Sequence, residues 1–382
     1  MAVGSESVVE KAAALVPMLR EKAAASEKAR RVSQDSYDAL SAAGIFRMTA
    51  PKAYGGIEAD FQTQCDVLAE IARGCPSTSW VATIYSAMSW LVGLFPDETQ
   101  QEIFASGDPR ISGVFSPTGT AVPNDGGFVV NGRWGFNTGC HGANWTVLNV
   151  LVGEMPTCML ARSKDLTILD DWFATGMAAT GSNTVVAENV FVPAHRTMRL
   201  PDMLEARYPS QRHNAREPYF NYPLSPVLIV NAGGTPLGIA RGAMDAFLDR
   251  LPGRGITYTN YTNKAEAPVT HLQLGEASLT LDSANAHVRL ATSLLDASDG
   301  PMTMQARVKS RAHIAYATGL AREATDILFY ASGASSIQEH MPIQRYQRDI
   351  QALSNHAIMH PQTAIELYGR VLCGLQPNTI LY

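Results

Sequence analysis

The sequence predicts an α+β chain in three parts: an N-terminal helical domain, a small central β domain and a C-terminal four-helix bundle. Two changes of texture predict it. Segments rich in Ala, Glu, Lys and Leu at helical spacing fill residues 1–110, Val-, Thr- and Ile-rich segments of strand length follow over 111–225, and helical spacing returns over 226–382. A third observation is bulk. The 382 residues, 46% hydrophobic and 17% charged, suffice for roughly two or three folding units with real cores.

In the first region Cys65, Leu68 and Ile71 recur at three-residue spacing, as one face of an amphipathic helix does. Gly44, Pro51, Gly55-Gly56 and Pro96 separate the helical runs. In the second, Phe128–Val130 and Arg133–Phe136 flank Asn131-Gly132, which predicts a hairpin because that dipeptide accepts the positive φ angles of a two-residue turn. Trp145–Val152, Leu166–Leu169 and Thr184–Val192 predict further strands. In the third, Ala240, Met244, Phe247 and Leu251 mark one helix face. Leu274, Ala277, Leu281, Ala284, Val288, Ala291 and Leu295 advance in steps of three and four, the stripe that an antiparallel bundle buries. A third bundle helix is predicted over 303–332. A fourth starts near Ile343 and is interrupted at Pro361, because proline lacks the backbone donor.

Charge and composition exclude several functions. The net charge is −5 and no block of five like charges occurs, so neither the footprint of a nucleic-acid binder nor a polybasic membrane face is present. The start, MAVGSESVVEKAAALV, lacks the basic segment and apolar run of a signal peptide, and no apolar stretch is long enough to span a bilayer. The five cysteines (Cys65, Cys75, Cys140, Cys158, Cys373) are odd in number with no C-x-x-C pair, which argues against a zinc site or disulfide framework. A soluble, cytoplasmic protein is expected. His356 and His360 lie four apart, but no third ligand is near, so no metal site is expected. His195, His213, His271, His287, His313 and His340 are isolated, and no glycine fingerprint for a nucleotide or nicotinamide cofactor opens a helix.

The segments that carry chemistry are Ala50–Gly56 (APKAYGG), Ser116–Ala121 (SPTGTA), Gly132–Cys140 (GRWGFNTGC), Gly176–Val185 (GMAATGSNTV), and Arg348-Asp349 followed by His356. Each is short; their order and spacing together are specific. In that order they resemble the acyl-CoA dehydrogenase superfamily, and more closely its oxygen-using branch, the group D two-component flavin monooxygenases. The resemblance covers nearly the whole chain. It implies an acyl-CoA dehydrogenase-like fold, a homotetramer, and reduced FAD or FMN delivered by a separate flavin reductase. Dioxygen is the implied co-substrate, and a C4a-hydroperoxyflavin would hydroxylate a small electron-rich substrate of aromatic, phenolic or indole-like character.

The resemblance also implies site residues. Phe136 stands where the dehydrogenases usually place tryptophan against the flavin ring, with Asn137, Gly139 and Cys140 around it, and Thr138 falls where a hydroxyl reaches the N5 edge. A hydroxyl there can hold an oxygenated flavin without supplying free acid. Ser116, Thr118, Gly119 and Thr120 are implied along the ring's polar edge, though the same residues also suit a plain turn after a strand ending at Phe115. Ser182, in Thr180-Gly181-Ser182, and His141 are implied at the pocket, the first in a segment that also reads as an ordinary loop. His356 is implied as the acid–base or orienting group, since imidazole exchanges a proton near neutral pH. In a helix it would share a face with Asp349, Ala352 and Leu353; a core histidine bonded to a backbone carbonyl is the other reading.

The sequence departs from the family pattern in two places. The phenol hydroxylases carry a second histidine in the helix before Leu94–Asp97; here the position is about Met88, with Tyr85 and Ser89 as neighbouring substrate contacts and Ser86 beside them. The glycine-rich run before the last helix is replaced by Ala331–Ser336, leaving Ser335 and Ser336 to meet a flavin phosphate or ring edge from a neighbouring subunit. The rivals are an N-hydroxylase or S-oxygenase of the same family, a non-catalytic flavin binder, and an acyl-CoA dehydrogenase with a displaced base. The last lacks a carboxylate at both customary places, Ala357–Met359 and Ala240–Ala243.

Overall fold

The computed structural model describes residues 7–105, 107–211, 218–298 and 302–382; His213 lies outside the described residues. The chain opens with α1 (Val8–Ala29), α2 (Gln34–Ala42), α3 (Phe61–Gly74), α4 (Pro76–Val92) and α5 (Asp97–Phe104). Local chemistry sets their starts. Ser7 and Glu10 close a capping box on α1, the Asp60 carboxylate accepts the Thr63 N–H at the head of α3, and α4 begins on Pro76. Within α4 only Ile84 is not fully buried. A helix buried all round lies at the centre of the molecule.

The sheet follows: β1 (Ile111–Asn124), β2 (Gly127–Trp134), β3 (Trp145–Val152), β4 (Met155–Arg162), β5 (Thr167–Ile168), β6 (Val185–Pro193) and β7 (Thr197–Arg199), in the spatial order β5-β6-β2-β1-β3-β4-β7. Neighbours run antiparallel except β1 and β3, which are parallel. Strand β3 is buried on both faces. Trp145 and Val147 join the core shared with the helices, and Leu148 and Val150 join a second core on the opposite face.

Two expectations are corrected here. Asn131-Gly132 is not a turn: it lies inside β2, which pairs with β1 and β6, and the hairpin turns instead at Asp125-Gly126, where Gly126 has φ +71°. Gly132 is needed for space. It pairs directly with Gly119, and a Cβ on Gly132 would stand 2.5 Å from the Gly119 Cα, while one on Gly119 would stand 2.2 Å from the Trp134 ring. Ser116–Thr120 is likewise no loop after a strand but part of β1, at the irregularity between Val114 and Gly119 where pairing with β3 shifts.

The helical remainder comprises α6 (Leu200–Leu204), α7 (Leu224–Asn231), α8 (Gly234–Leu248), α9 (Pro268–Asp296), α10 (Met304–Ala331), α11 (Pro342–Leu353) and α12 (Pro361–Leu372). The helix expected over 303–332 is α10, capped by Thr303, and it packs against α8, α9, α11 and α12. Along α9 the stripe buries Ala277, Ala284, Val288, Ala291 and Leu295. Pro361 starts α12 rather than interrupting the helix before it. A proline at the first helical position costs no hydrogen bond, and it holds His360 extended at φ −62°, ψ 117°. No helix is long and apolar enough to cross a membrane among the described residues.

Candidate functional site

The site forms where the segment after β2 meets the segment before β6. Phe136 turns the chain with φ +58°, and backbone bonds then stitch residues 137–142 to 180–183: Asn137 N–H to the Asn183 carbonyl (3.2 Å) and Gly139 N–H to the Thr180 carbonyl (2.9 Å). Gly139 is obligatory. Its φ is +74°, and a Cβ would stand 2.9 Å from both Val81 and Tyr85. From α4, the Tyr85 hydroxyl donates to the Gly139 carbonyl at 2.5 Å, while its ring packs among Tyr37 and Phe46. Tyr85 is thus a buttress under the loop. Met88 packs over Gly113 of β1, and the Ser89 hydroxyl is buried with no partner among the described residues, as is that of Ser86.

Within this stitched region lies a line of buried hydroxyls. Thr138 Oγ1 is 2.8 Å from Ser182 Oγ, which is 2.7 Å from Thr180 Oγ1, which donates to the Met177 carbonyl at 2.8 Å. Phe136 beside it is 77% exposed and meets Trp172 edge to face, ring centroids 5.6 Å apart. Asn137 is fully buried, and neither polar atom of its side chain has a partner among the described residues. Such a group costs about 1–3 kcal/mol unless something bonds it. Cys140 is buried, its thiol donating to the Gly181 carbonyl at 3.4 Å and pushed up to about 12 by burial. His141 is exposed and bonds Asn183 Oδ1 at 3.0 Å.

Helix α11 clamps the same region from the other side. Gly176 lies so close to the Arg348 carbonyl that a Cβ would stand 2.2 Å from it. Asp349 is 2% exposed and accepts the Met177 N–H at 2.5 Å. Burial pushes its carboxyl up to about 7, with Glu27 adding to the rise and Arg348 and Arg345 opposing it. A raised carboxyl stabilises the fold below its unfolded pKa of about 3.9 and loses that contribution as pH rises through about 7. Asp349→Asn is therefore expected to gain stability relative to wild type at pH 8 compared with pH 5, in urea melts at the two pH values. Equal differences at both would mean that Asp349 ionises as an ordinary carboxylate.

His356 is not on the face of α11 with Asp349, Ala352 and Leu353. The helix ends at Leu353, and His356 lies in the connection to α12, its N–H bonded to the Leu353 carbonyl at 2.9 Å. Arg311 pins this connection through the Ala357 carbonyl at 3.1 Å. A cavity of about 650 Å³ takes in Asn355, Ala357 and Ile358 but not His356, whose ring meets Trp80 of α4 edge-on at 5.2 Å. Solvent reaches the His356 side chain in a single chain, yet protein surrounds it closely enough to lower its pKa to about 4. That combination marks a side chain lining an open crevice, and the imidazole is neutral at pH 7. Helix α4 thus serves both parts, with Trp80 at His356 and Tyr85 under Gly139.

Ser116, Thr118 and Thr120 are exposed on β1, with Thr118 Oγ1 donating to the Arg133 carbonyl at 2.6 Å; Gly119 is buried under Trp134. Ser336 is buried behind Ser335. Ser335 accepts from Arg250 (3.2 Å) and Arg254 (3.1 Å), and Lys264 donates to the nearby Ala331 carbonyl. Burial lowers the pKa of Arg250 and Lys264, and the neighbouring arginine charge lowers it further. None of the three cations has a carboxylate partner among the described residues. Sequence reading missed this set, as it missed Trp80 and Trp172. No periodic pattern marks cations at 250, 254 and 264 drawn to the distant Ala331–Ser335 turn.

The residues present fit a flavin: an apolar ring face at Phe136 and Trp172, a buried amide at Asn137 unpartnered among the described residues, and two arginines on the Ser335 hydroxyl with no carboxylate partner among those residues. The family model for the acyl-CoA dehydrogenase N-terminal domain matches residues 7–106, and that for the C-terminal domain matches 231–361. The oxygenase subunit HsaA of a flavin-dependent monooxygenase from Rhodococcus jostii (strain RHA1) is 34% identical, covering 95% of this chain and 97% of that one. The oxygenase component of the FADH(2)-dependent resorcinol hydroxylase of Rhizobium sp. (strain MTP-10005) is 29% identical over 97% of this chain and 95% of its own. The structure of XiaF from Streptomyces sp. in complex with FADH2 and glycerol superposes with a TM-score of 0.89 at 29% identity, covering 97% of this chain and 96% of that one. Both terminal domains in order, and one identity above 30% across nearly the full length of two chains, show that this protein belongs to the acyl-CoA dehydrogenase family, among its flavin-dependent monooxygenase oxygenase components.

Proposed function

We propose that the chain is the oxygenase component of a two-component system that hydroxylates a small electron-rich aromatic, phenolic or indole-like. It takes reduced FAD or FMN from a separate flavin reductase, works as a cytoplasmic homotetramer, and uses dioxygen as co-substrate. The observation that carries the reading is the pairing of an exposed aromatic face, Phe136 on Trp172, with a buried hydroxyl line whose only side-chain partners among the described residues are hydroxyls. When bound, reduced flavin would supply the two electrons that activate dioxygen, and dioxygen is the source of the oxygen atom that the substrate receives. Thr138 meets the ring's N5 edge, and the loop around it is held by Tyr85 and Asn183, with no carboxyl group bonded to its hydroxyls among the described residues. Such a site delivers no free acid to a reactive oxygen species.

His356, neutral and reachable, accepts the proton of a substrate hydroxyl or N–H, or holds it by a hydrogen bond. Asn137, Ser182, Ser89 and His141 are the further polar groups placed for ring or substrate. Ser335, with Arg250, Arg254 and Lys264 around it, is suited to a flavin phosphate. The test is rapid mixing of the protein loaded with reduced flavin against oxygenated buffer, followed by absorbance. A long-lived transient absorbing to the blue of oxidised flavin, and consumed faster with an aromatic substrate, supports the reading. Direct return to oxidised flavin with peroxide released, whatever substrate is present, would overturn it.

A further inference from the structure

The proton count along the buried hydroxyl line has only one solution. Thr180 Oγ1 lies 2.8 Å from the Met177 carbonyl oxygen, which can only accept, so the single Thr180 proton points there. Ser182 Oγ, 2.7 Å from Thr180, must then donate to it, and Thr138 Oγ1, 2.8 Å from Ser182, must donate in its turn. With all three residues at most 6% exposed, no bulk water competes for these positions. The Thr138 oxygen is left with lone pairs only.

We infer that Thr180 and Ser182 are positioning residues that hold the Thr138 proton inward, so that Thr138 offers the flavin an acceptor and the site prefers reduced flavin to oxidised flavin. The inference rests on the reading that Thr138 meets the N5 edge. Reduced flavin carries a proton on N5 and can donate to the Thr138 oxygen; oxidised flavin presents only a lone pair there. To hold the oxidised ring through the same oxygen, all three hydroxyls must turn round, and the Met177 carbonyl then loses its hydroxyl donor. The difference is one net hydrogen bond, which amounts to about threefold to tenfold in a ratio of dissociation constants. An oxygenase that receives reduced flavin from another protein and must release it oxidised gains turnover from that preference.

The test is anaerobic titration of the full chain with oxidised and with reduced FAD and FMN, reading the ratio of the two dissociation constants. Thr180→Val removes the terminal anchor, and the oxidised-to-reduced ratio is expected to fall about threefold to tenfold, while Thr180→Ser keeps the wild-type ratio. Ser182→Ala breaks the line at its middle and is expected to do the same, which covers the case that Thr180→Val does not fold. A role in packing alone would change both constants together and leave the ratio unmoved, and that result in both variants overturns the inference. Thr138→Val separates the two levels. If it leaves the ratio untouched, Thr138 does not meet N5 and the placement itself has failed; if it shifts the ratio while the Thr180 and Ser182 variants do not, only the relay has failed.

Discussion

His356→Ala is expected to lower product formation about a hundredfold, with the lost turnovers appearing as peroxide. His356 sits in the α11–α12 connection rather than in a helix, its backbone N–H bonded to the Leu353 carbonyl and the next carbonyl, that of Ala357, held by Arg311, with Trp80 against its ring. No hydrogen bond to the protein occupies its ring nitrogens among the described residues. Because its pKa is lowered to about 4, the neutral form persists far below the ordinary histidine value of about 6.5. Product formation by the free enzyme is therefore expected to show no acid limb near pH 6.5, the limb appearing only as pH approaches about 4. Product and peroxide quantified across pH 5–8 check both statements. His356→Ala should leave reduced-flavin affinity unchanged, since its loss acts on the substrate. Retention of most activity would make His356 an orienting group at best and would favour N- or S-oxygenation, where the substrate lone pair attacks oxygen without needing a base.

Gly238→Ala is expected to destabilise the protein by about 3 kcal/mol or more, the upper end for overpacking. At about 2 °C per kcal/mol that is a melting midpoint some 6 °C lower. Helix α8 meets α3 through Gly234 and Gly238, one turn apart. A Cβ on Gly238 would stand 2.0 Å from the Ala69 carbonyl oxygen, and one on Gly234 would stand 2.2 Å from the Cys65 carbonyl oxygen. The obstructing atoms are backbone, so no side-chain movement relieves them; the helices must separate. Gly275, also mid-helix, has nothing within 4 Å, and Gly275→Ala is expected to be neutral or to stabilise by about 0.5–1 kcal/mol. Thermal melts of the two variants side by side check the pair. Equal effects would mean that α3 and α8 are not in close contact.

These two positions show how unevenly the molecule could be read. His356 stood out by type and by its spacing from Arg348-Asp349, but its surroundings did not. The helical face assumed for it ended at Leu353, and Pro361, eight residues further on, starts a new helix and holds His360 extended. Gly234 and Gly238 drew no notice, since the apolar face read along α8 was the one through Ala240, Met244 and Phe247. A glycine required by another helix's backbone looks, in sequence, like any glycine. Asn131-Gly132 erred the other way: a strong turn signal was used for close packing under Trp134, and Asp125-Gly126 made the turn. The loop around Thr138 was legible because a short segment carries all of it, from Phe136 to His141. The hydroxyl line was only half legible, since Thr138 and Ser182 are 44 residues apart and no local rule joins them.

The sequence by itself determined what short-range physics controls: the α–β–α order, the buried stripe of α9, the extent of α10 and the strand at Trp145–Val152. Periodicity, capping residues and β-branched runs act over a few residues, so a few residues reveal them. Only the tertiary structure decided which groups are partnered and which are free. It consumed Tyr85 on a backbone carbonyl, left Asn137 without a partner among the described residues, brought Arg250 and Arg254 to Ser335 with Lys264 on the Ala331 carbonyl, and joined the Thr138, Ser182 and Thr180 hydroxyls. Hydrogen bonding and burial depend on distances between residues far apart in the chain, and those distances exist only once the helices and the sheet have packed.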